Sequence, residues 1–145
     1  MSQNPYSNNV LLNLGIQSLN KMQEVAQNAI LNEDNILLLS PTGSGKTLAF
    51  LLPIFQLLEE DVKGVQCLIL VPSRELGLQI EQVWKKMGTH YKVNTCYGGH
   101  SIDIEINNLS NPPALLIGTP GRIADHIERG SFATENVKTY VLDEF

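Results

Sequence analysis

No apolar run in this chain approaches the roughly 20 residues that a helix needs to cross a bilayer, so no membrane partner is expected. The opening Met1-Ser2-Gln3-Asn4-Pro5 has neither the basic start nor the apolar stretch of an export signal. Cysteine is scarce. Cys67 and Cys96 both fall inside apolar runs and, without an export signal, read as reduced core residues rather than a pair. Positive charge is also short: 10 Lys and Arg face 15 Asp and Glu, and a net charge of −5 argues against a protein held to nucleic acid by its overall field. Local phosphate contacts through backbone N–H groups and helix N-termini need no such field and stay open. These absences point to a cytoplasmic protein. What is present, 43% hydrophobic and 17% charged residues over 145 positions, suits one globular domain or most of one.

The most informative segment is Ser40-Pro41-Thr42-Gly43-Ser44-Gly45-Lys46-Thr47. Apolar Ile36-Leu37-Leu38-Leu39 leads into it and an apolar helical pattern from Leu48 to Leu58 leads out. Strand, loop of small residues, Lys-Thr and helix is the context of a phosphate-binding P-loop. Gly43 and Gly45 let consecutive backbone N–H groups converge on phosphate oxygens with no Cβ in the way. Lys46 is placed to reach the β- and γ-phosphates, Thr47 to offer its hydroxyl to Mg²⁺, and the helix N-terminus adds its positive partial charge. The simplest form of the pattern has Gly where Ser40 stands. We read the segment as a nucleoside-triphosphate site.

Five short apolar runs recur along the chain: Ile36–Leu39, Gln66–Val71, Lys92–Cys96, Ala114–Ile117 and Tyr140–Leu142. Helical patterns lie between them at about 46–60, 73–87, 101–110 and 120–129, and Pro53 should bend or disturb the first. The second carries Leu76, Ile80, Val83, Trp84 and Met87 on one face, which makes Trp84 a core residue. Upstream, residues 1–9 are polar, Val10 to Leu14 forms a short helix closed by Gly15, and Met22, Val25, Ala26, Ala29 and Ile30 repeat at helical spacing. Apolar strands alternating with helices predict an α/β fold, its mainly parallel sheet covered by helices on both faces.

Each run is followed by small or polar residues: the P-loop, then Pro72-Ser73-Arg74-Glu75, Gly98-Gly99-His100, Thr119-Pro120-Gly121-Arg122 and Asp143-Glu144. In an open α/β sheet that edge is where ligands bind. Asp143 and Glu144 end an apolar strand; beside a P-loop, Asp143 would hold Mg²⁺ directly or through water and Glu144 would orient or deprotonate the attacking water. Thr119 and Pro120 read as the cap and first residue of a helix whose free N–H groups, with Arg122, suit a backbone phosphate; an ordinary capped helix fits equally well. Ser73 caps another helix, where Arg74 and Glu75 make either a ligand contact or an ion-paired brace. Gly98-Gly99 permits close backbone approach or a tight turn, and His100 reads as a loop residue.

In this order the clusters resemble the first RecA-like domain of the DEAD-box ATP-dependent RNA helicases. SPTGSGKT is similar to motif I, PSRELG to motif Ia, the GG of YGGH to the GG element, TPGR to motif Ib and VLDEF to the start of motif II. Gly15-Ile16 through Leu19-Asn20-Lys21-Met22-Gln23 resembles the Q motif. The resemblance spans about residues 15–145, leaving 1–14 as a polar segment and short helix. It implies a RecA-like P-loop domain that uses ATP and Mg²⁺, with Gln23 selecting adenine, Ser40 to Thr47 holding the phosphates, Thr47 and Asp143 serving the metal, and Lys46, Asp143 and Glu144 serving hydrolysis. It further implies that Pro72, Ser73, Arg74, Gly98, Gly99, Thr119, Pro120, Gly121 and Arg122 line the path of an RNA backbone, with little sequence preference.

Asn20 and Lys21 stand where the family usually has Ser or Thr and then Pro, which loosens the Q motif and removes its hydroxyl; Tyr6 is too near to be the family's upstream adenine-stacking aromatic. Ser73 and Gly77 replace Thr and Ala, and Phe145 replaces the Ala of motif II. The family's motif III and its second RecA-like domain, the partner that supplies transition-state arginines, are not found in these 145 residues. The chain is therefore expected to be a piece of a longer enzyme that binds adenine nucleotide, hydrolyses it negligibly and unwinds nothing alone, since such arginines contribute on the order of 10³–10⁵ in rate. Alternatives are a P-loop helicase or translocase acting on DNA, a small-molecule P-loop kinase, for which PSRELG and TPGR have no use, and a non-enzymatic nucleotide-dependent binding module.

Overall fold

The computed structural model describes residues 8–144; expectations for residues 1–7, Tyr6 included, and for Phe145 lie outside that range. The chain divides into two compact units, one made of residues up to Leu57 with Val83–Thr89, the other of Leu58–Gln82 with the residues from His90 onward.

The first unit is helical: α1 (Asn8–Leu14), α2 (Lys21–Asn32) and α3 (Lys46–Leu57), with the last turn of α4 (Arg74–Met87). Helix α2 begins at a capping box, Asn20 Oδ1 accepting from Gln23 N at 2.8 Å while Gln23 Oε1 accepts from Asn20 N at 3.0 Å. Helix α3 buries every residue from Ala49 to Ile54, so it is apolar all round rather than amphipathic. It runs unbroken through Pro53, where a bend or local disturbance was expected. Trp84 is buried and meets Phe55 edge-on at 6.4 Å between ring centroids, as expected of a core residue.

A second correction concerns Ile36–Leu39. No strand forms there, and Ile36, Leu37 and Leu39 are exposed. A strand exists only through ladder bonds to a neighbour, and none reaches this run among the described residues. Apolar content alone proposed it.

The second unit holds the sheet: β1 (Cys67–Leu70), β2 (Val93–Cys96), β3 (Leu115–Gly118) and β4 (Thr139–Leu142), all parallel, in the order β2-β3-β1-β4. Residues 74–82 of α4 and the helices α5 (Ile102–Leu109) and α6 (Pro120–Arg129) complete it. Alternation sends Leu68, Leu116 and Cys96 to one face, where they pack with Leu109 of α5, Ile123 of α6 and Phe132. Cys67, Ile69, Leu115 and Ile117 point the other way and are equally buried. On that face Gly77 of α4 comes so near Thr95, Val71 and Ile117 that an added Cβ would lie 3.1 Å from Thr95 Cγ2. Gly77 thus seats α4 against the sheet. Two buried faces explain why β1 and β3 read as continuous apolar runs, whereas Tyr140 and Leu142 of β4 are exposed. Cys67 and Cys96 are free and buried, and burial pushes both thiols up to about 12, so neither is a reactive thiolate.

Candidate functional site

In the first unit the P-loop owes its course to two left-handed glycines, Gly43 at φ 81° and Gly45 at φ 90°. Ser40 Oγ and Ser44 Oγ lie 2.6 Å apart across its base, and Ser44 N donates to Pro41 O. Ser40, where the simplest pattern has glycine, therefore closes the loop instead of disturbing it. The backbone N–H groups of Gly43, Gly45, Lys46 and Thr47 donate to no acceptor in the chain among the described residues. Such a nest of unpaired donors at a helix N-terminus fits an anion.

Helix α2 braces this loop. Asn20 Nδ2 donates to Ser44 O at 3.0 Å and Gln23 Nε2 to Gly45 O at 3.2 Å. The Q-motif segment is thus not loosened: the Asn20 amide caps α2 with its oxygen and grips the loop with its nitrogen, two tasks for one side chain. Gln23 is buried, and each end of its amide has one hydrogen-bonding position left: a second N–H and a second lone pair.

In the second unit four loops leave the carboxyl ends of parallel strands that stop level with one another, Cys96 opposite Gly118, and Leu70 opposite both Gly118 and Leu142. The ladders run one residue further, Val71 N donating to Gly118 O, Thr119 N to Cys96 O and Asp143 N to Leu70 O. Pro72 to Arg74, Gly98 with Gly99, Thr119 to Arg122, and Asp143 with Glu144 therefore share one rim, as expected. Ser73 Oγ caps α4 by accepting from Leu76 N, whereas the Thr119 side chain makes no capping bond. Gly99 needs its glycine at φ 94°. Glu144, at φ 54°, is the one non-glycine with positive φ among the described residues, a strained backbone at the end of β4. Gly118 cannot carry a Cβ, which would lie 2.5 Å from Ile123 and 2.9 Å from Cys96 O; its absence lets α6 start tight against β2.

Side-chain contacts join three of these loops. The Arg74 guanidinium sits over the Tyr97 ring at 5.3 Å, and Tyr97 stacks on His100 at 4.5 Å and 10°. Beneath them lies a residue that the sequence reading missed. Glu105, on α5 and only 3% exposed, accepts from Tyr97 N at 2.9 Å and His100 Nε2 at 2.5 Å on one carboxylate oxygen, and from Arg122 Nε and His126 Nε2, both at 2.8 Å, on the other. Arg122 Nη2 also donates to His100 O at 2.6 Å, and His126, fully buried, reaches Ser131 Oγ through Nδ1. Burial would raise the Glu105 pKa, but the donors from His126, His100, the Tyr97 amide and Arg122 outweigh it and hold the carboxyl below its ordinary range. The available signal was an acid in the apolar pattern of α5, where Glu105 is buried while its neighbour Ile104 is exposed.

Cys96, Glu105 and His126 bring a thiol, a carboxylate and an imidazole within 4.8 Å of one another, a spacing that would suit a metal ion. Here the thiol is held protonated and both carboxylate oxygens are engaged by N–H donors, one of them from the Arg122 guanidinium. The cluster is an ion-pair hub.

A parallel α/β sheet with ligand-type turns on one rim, in a chain that also carries a P-loop, is the plan of the nucleotide-using P-loop proteins. The DEAD/DEAH box helicase family matches residues 20–145. The ATP-dependent RNA helicase DeaD of Escherichia coli is 36% identical over 137 residues, covering 92% of this chain and 22% of the relative. The ATP-dependent rRNA helicase RRP3 of Encephalitozoon cuniculi is 39% identical over 132 residues, 90% of this chain and 33% of the relative. A crystal structure of a DEAD box protein from the hyperthermophile Methanococcus jannaschii superposes with a TM-score of 0.86 at 35% identity, covering 97% of this chain and 40% of that one. The chain belongs to the DEAD/DEAH box helicase family, with the RecA-like α/β fold expected from its motifs. It spans between a fifth and two fifths of the length of these relatives.

Proposed function

We propose that residues 15–145 are the ATP-binding part of the first RecA-like domain of an ATP-dependent RNA helicase, a cytoplasmic enzyme that couples ATP binding and hydrolysis to local RNA duplex unwinding. The observation that carries this reading is the rim of the second unit, where Arg74, Gly98, Gly99 and Thr119 to Arg122 stand in loops tied together by Tyr97, His100 and Glu105. Backbone donors, glycines and two guanidinium groups suit the phosphates and sugars of a strand and read little sequence.

In the first unit the unpaired N–H groups of Gly43, Gly45, Lys46 and Thr47 and the Lys46 ammonium receive the phosphates. Gln23 retains one donor and one acceptor, which match N7 and the N6 amino group of adenine. Bound Mg²⁺ would neutralise phosphate charge, with Thr47 and Asp143 holding it and Glu144 orienting water. A second RecA-like domain supplies arginines and the rest of the RNA grip, so the chain alone binds nucleotide without unwinding.

The test is calorimetric titration with Mg-ADP and Mg-GDP. Selective ADP binding is expected; equal binding of the two overturns Gln23 as adenine reader, and binding of neither overturns the P-loop assignment. In the full-length protein, stimulation of hydrolysis by RNA and not DNA is expected, and the reverse moves the enzyme to the DNA translocases.

A further inference from the structure

Arg122 is a candidate phosphate ligand, yet it is not a free surface cation. Its side chain is 16% exposed, its Nε is committed to Glu105 and its Nη2 to His100 O. Three of its five N–H donors have no partner among the described residues. The same carboxylate takes the amide of Tyr97 and the ring of His100, so one buried group sets both the turn containing Gly98 and Gly99 and the first turn of α6. The four donors lie 5, 8, 17 and 21 residues away along the chain. A carboxylate can accept from all four; an amide of the same shape cannot, because its nitrogen would face donors.

We propose that Glu105 is the positioning residue of the RNA-facing rim: it fixes the Arg122 guanidinium with its unused donors turned outward and locks the 97–100 turn to α6, so that the rim meets the strand preformed. This rests on the RNA reading above. Holding a long cation in place before binding removes the entropy cost that a mobile arginine would meet on contact. Glu105 itself touches no RNA; it acts through Arg122 and the turn.

The experiment is a double-mutant cycle in the full-length protein, with fluorescence anisotropy of a labelled oligouridylate in the presence of a non-hydrolysable ATP analogue. Arg122→Ala and Glu105→Gln should each weaken RNA binding by about tenfold or more, the scale of one charge-assisted hydrogen bond. The double variant should bind about as weakly as Arg122→Ala alone, and ADP affinity should stay unchanged in all three. Losses that multiply in the double variant show that Glu105 does not act through Arg122 and overturn the proposal. So does wild-type RNA binding by Glu105→Gln beside a weakened Arg122→Ala, a result that leaves the RNA reading standing. Unchanged binding by Arg122→Ala removes the RNA role of Arg122, and the proposal with it. If Glu105→Gln fails to fold, NMR of the unsubstituted, RNA-free protein decides: an ordered, slowly exchanging Arg122 Nε–H supports the proposal and a freely mobile guanidinium overturns it.

Discussion

The P-loop and the rim are built by opposite means. Around the P-loop, shape comes from the backbone: two left-handed glycines, unpaired N–H groups and amide braces from Asn20 and Gln23. At the rim, shape comes from side chains gathered on one buried charge, Glu105. A site made of backbone is specified by local sequence, and its parts fail one at a time. A site hung on a buried carboxylate is specified by the whole unit, and its parts fail together.

The largest effect should fall on the charge. Glu105→Ala leaves Arg122 Nε and the amide of Tyr97 without their acceptor, and urea unfolding should show a loss of about 3 to 5 kcal/mol. A loss below about 1 kcal/mol would mean that water replaces the carboxylate and the hub is not structural.

The P-loop should respond in binding instead. Lys46→Ala should lower Mg-ADP affinity about 100-fold by calorimetry, the scale of a charge-assisted contact to phosphate, with the urea midpoint almost unmoved. Comparable losses of stability and binding would erase the contrast.

Acid should separate the two regions further. The folded Glu105 pKa lies below its ordinary value, so its contribution is present above about pH 4.3 and is lost as pH falls through the folded value. The groups facing it are Arg122, His100, His126, the Cys96 thiol and the amide of Tyr97. Urea midpoints measured from pH 7 down to 3 should fall steeply at the acid end in the unsubstituted chain and less steeply in Glu105→Gln. Parallel curves would assign the acid loss to other carboxylates.

Gly45→Ala places a Cβ at φ 90° and 2.5 Å from Gln23 Nε2, so it should cost about 1 to 2 kcal/mol and weaken ADP binding, while Gly121→Ala, with open space around it, should cost less. The smallest contrast lies between two caps. Ser73→Ala should lose about 1 kcal/mol and Thr119→Ala a few tenths, because only Ser73 makes a capping bond. Equal losses would show that the Thr119 hydroxyl caps α6 in solution.

Legibility followed the same division. The four strands of the sheet and helices α2 to α6 were read within a few residues of their observed ends, because burial on both faces makes apolar runs of β1 and β3 and an apolar stripe makes helical spacing. Ile36–Leu39 has the same composition as those strands and is not one, since composition does not supply a hydrogen-bonded neighbour. Asn20 was read as a departure because a missing hydroxyl is visible in sequence, while an amide that both caps and braces is visible only in space.

The sequence by itself determined the glycine positions that make a phosphate cradle, the parallel alternation that gathers loops on one rim, and the motifs that mark the family. Each depends on residues within a few positions of one another, whose conformational preferences act locally. Only the tertiary structure decided that Glu105 is a buried hub and not a solvated acid, and that Arg122 is held and not free. Burial of a charge depends on donors that the fold brings from distant positions, and no local pattern contains them.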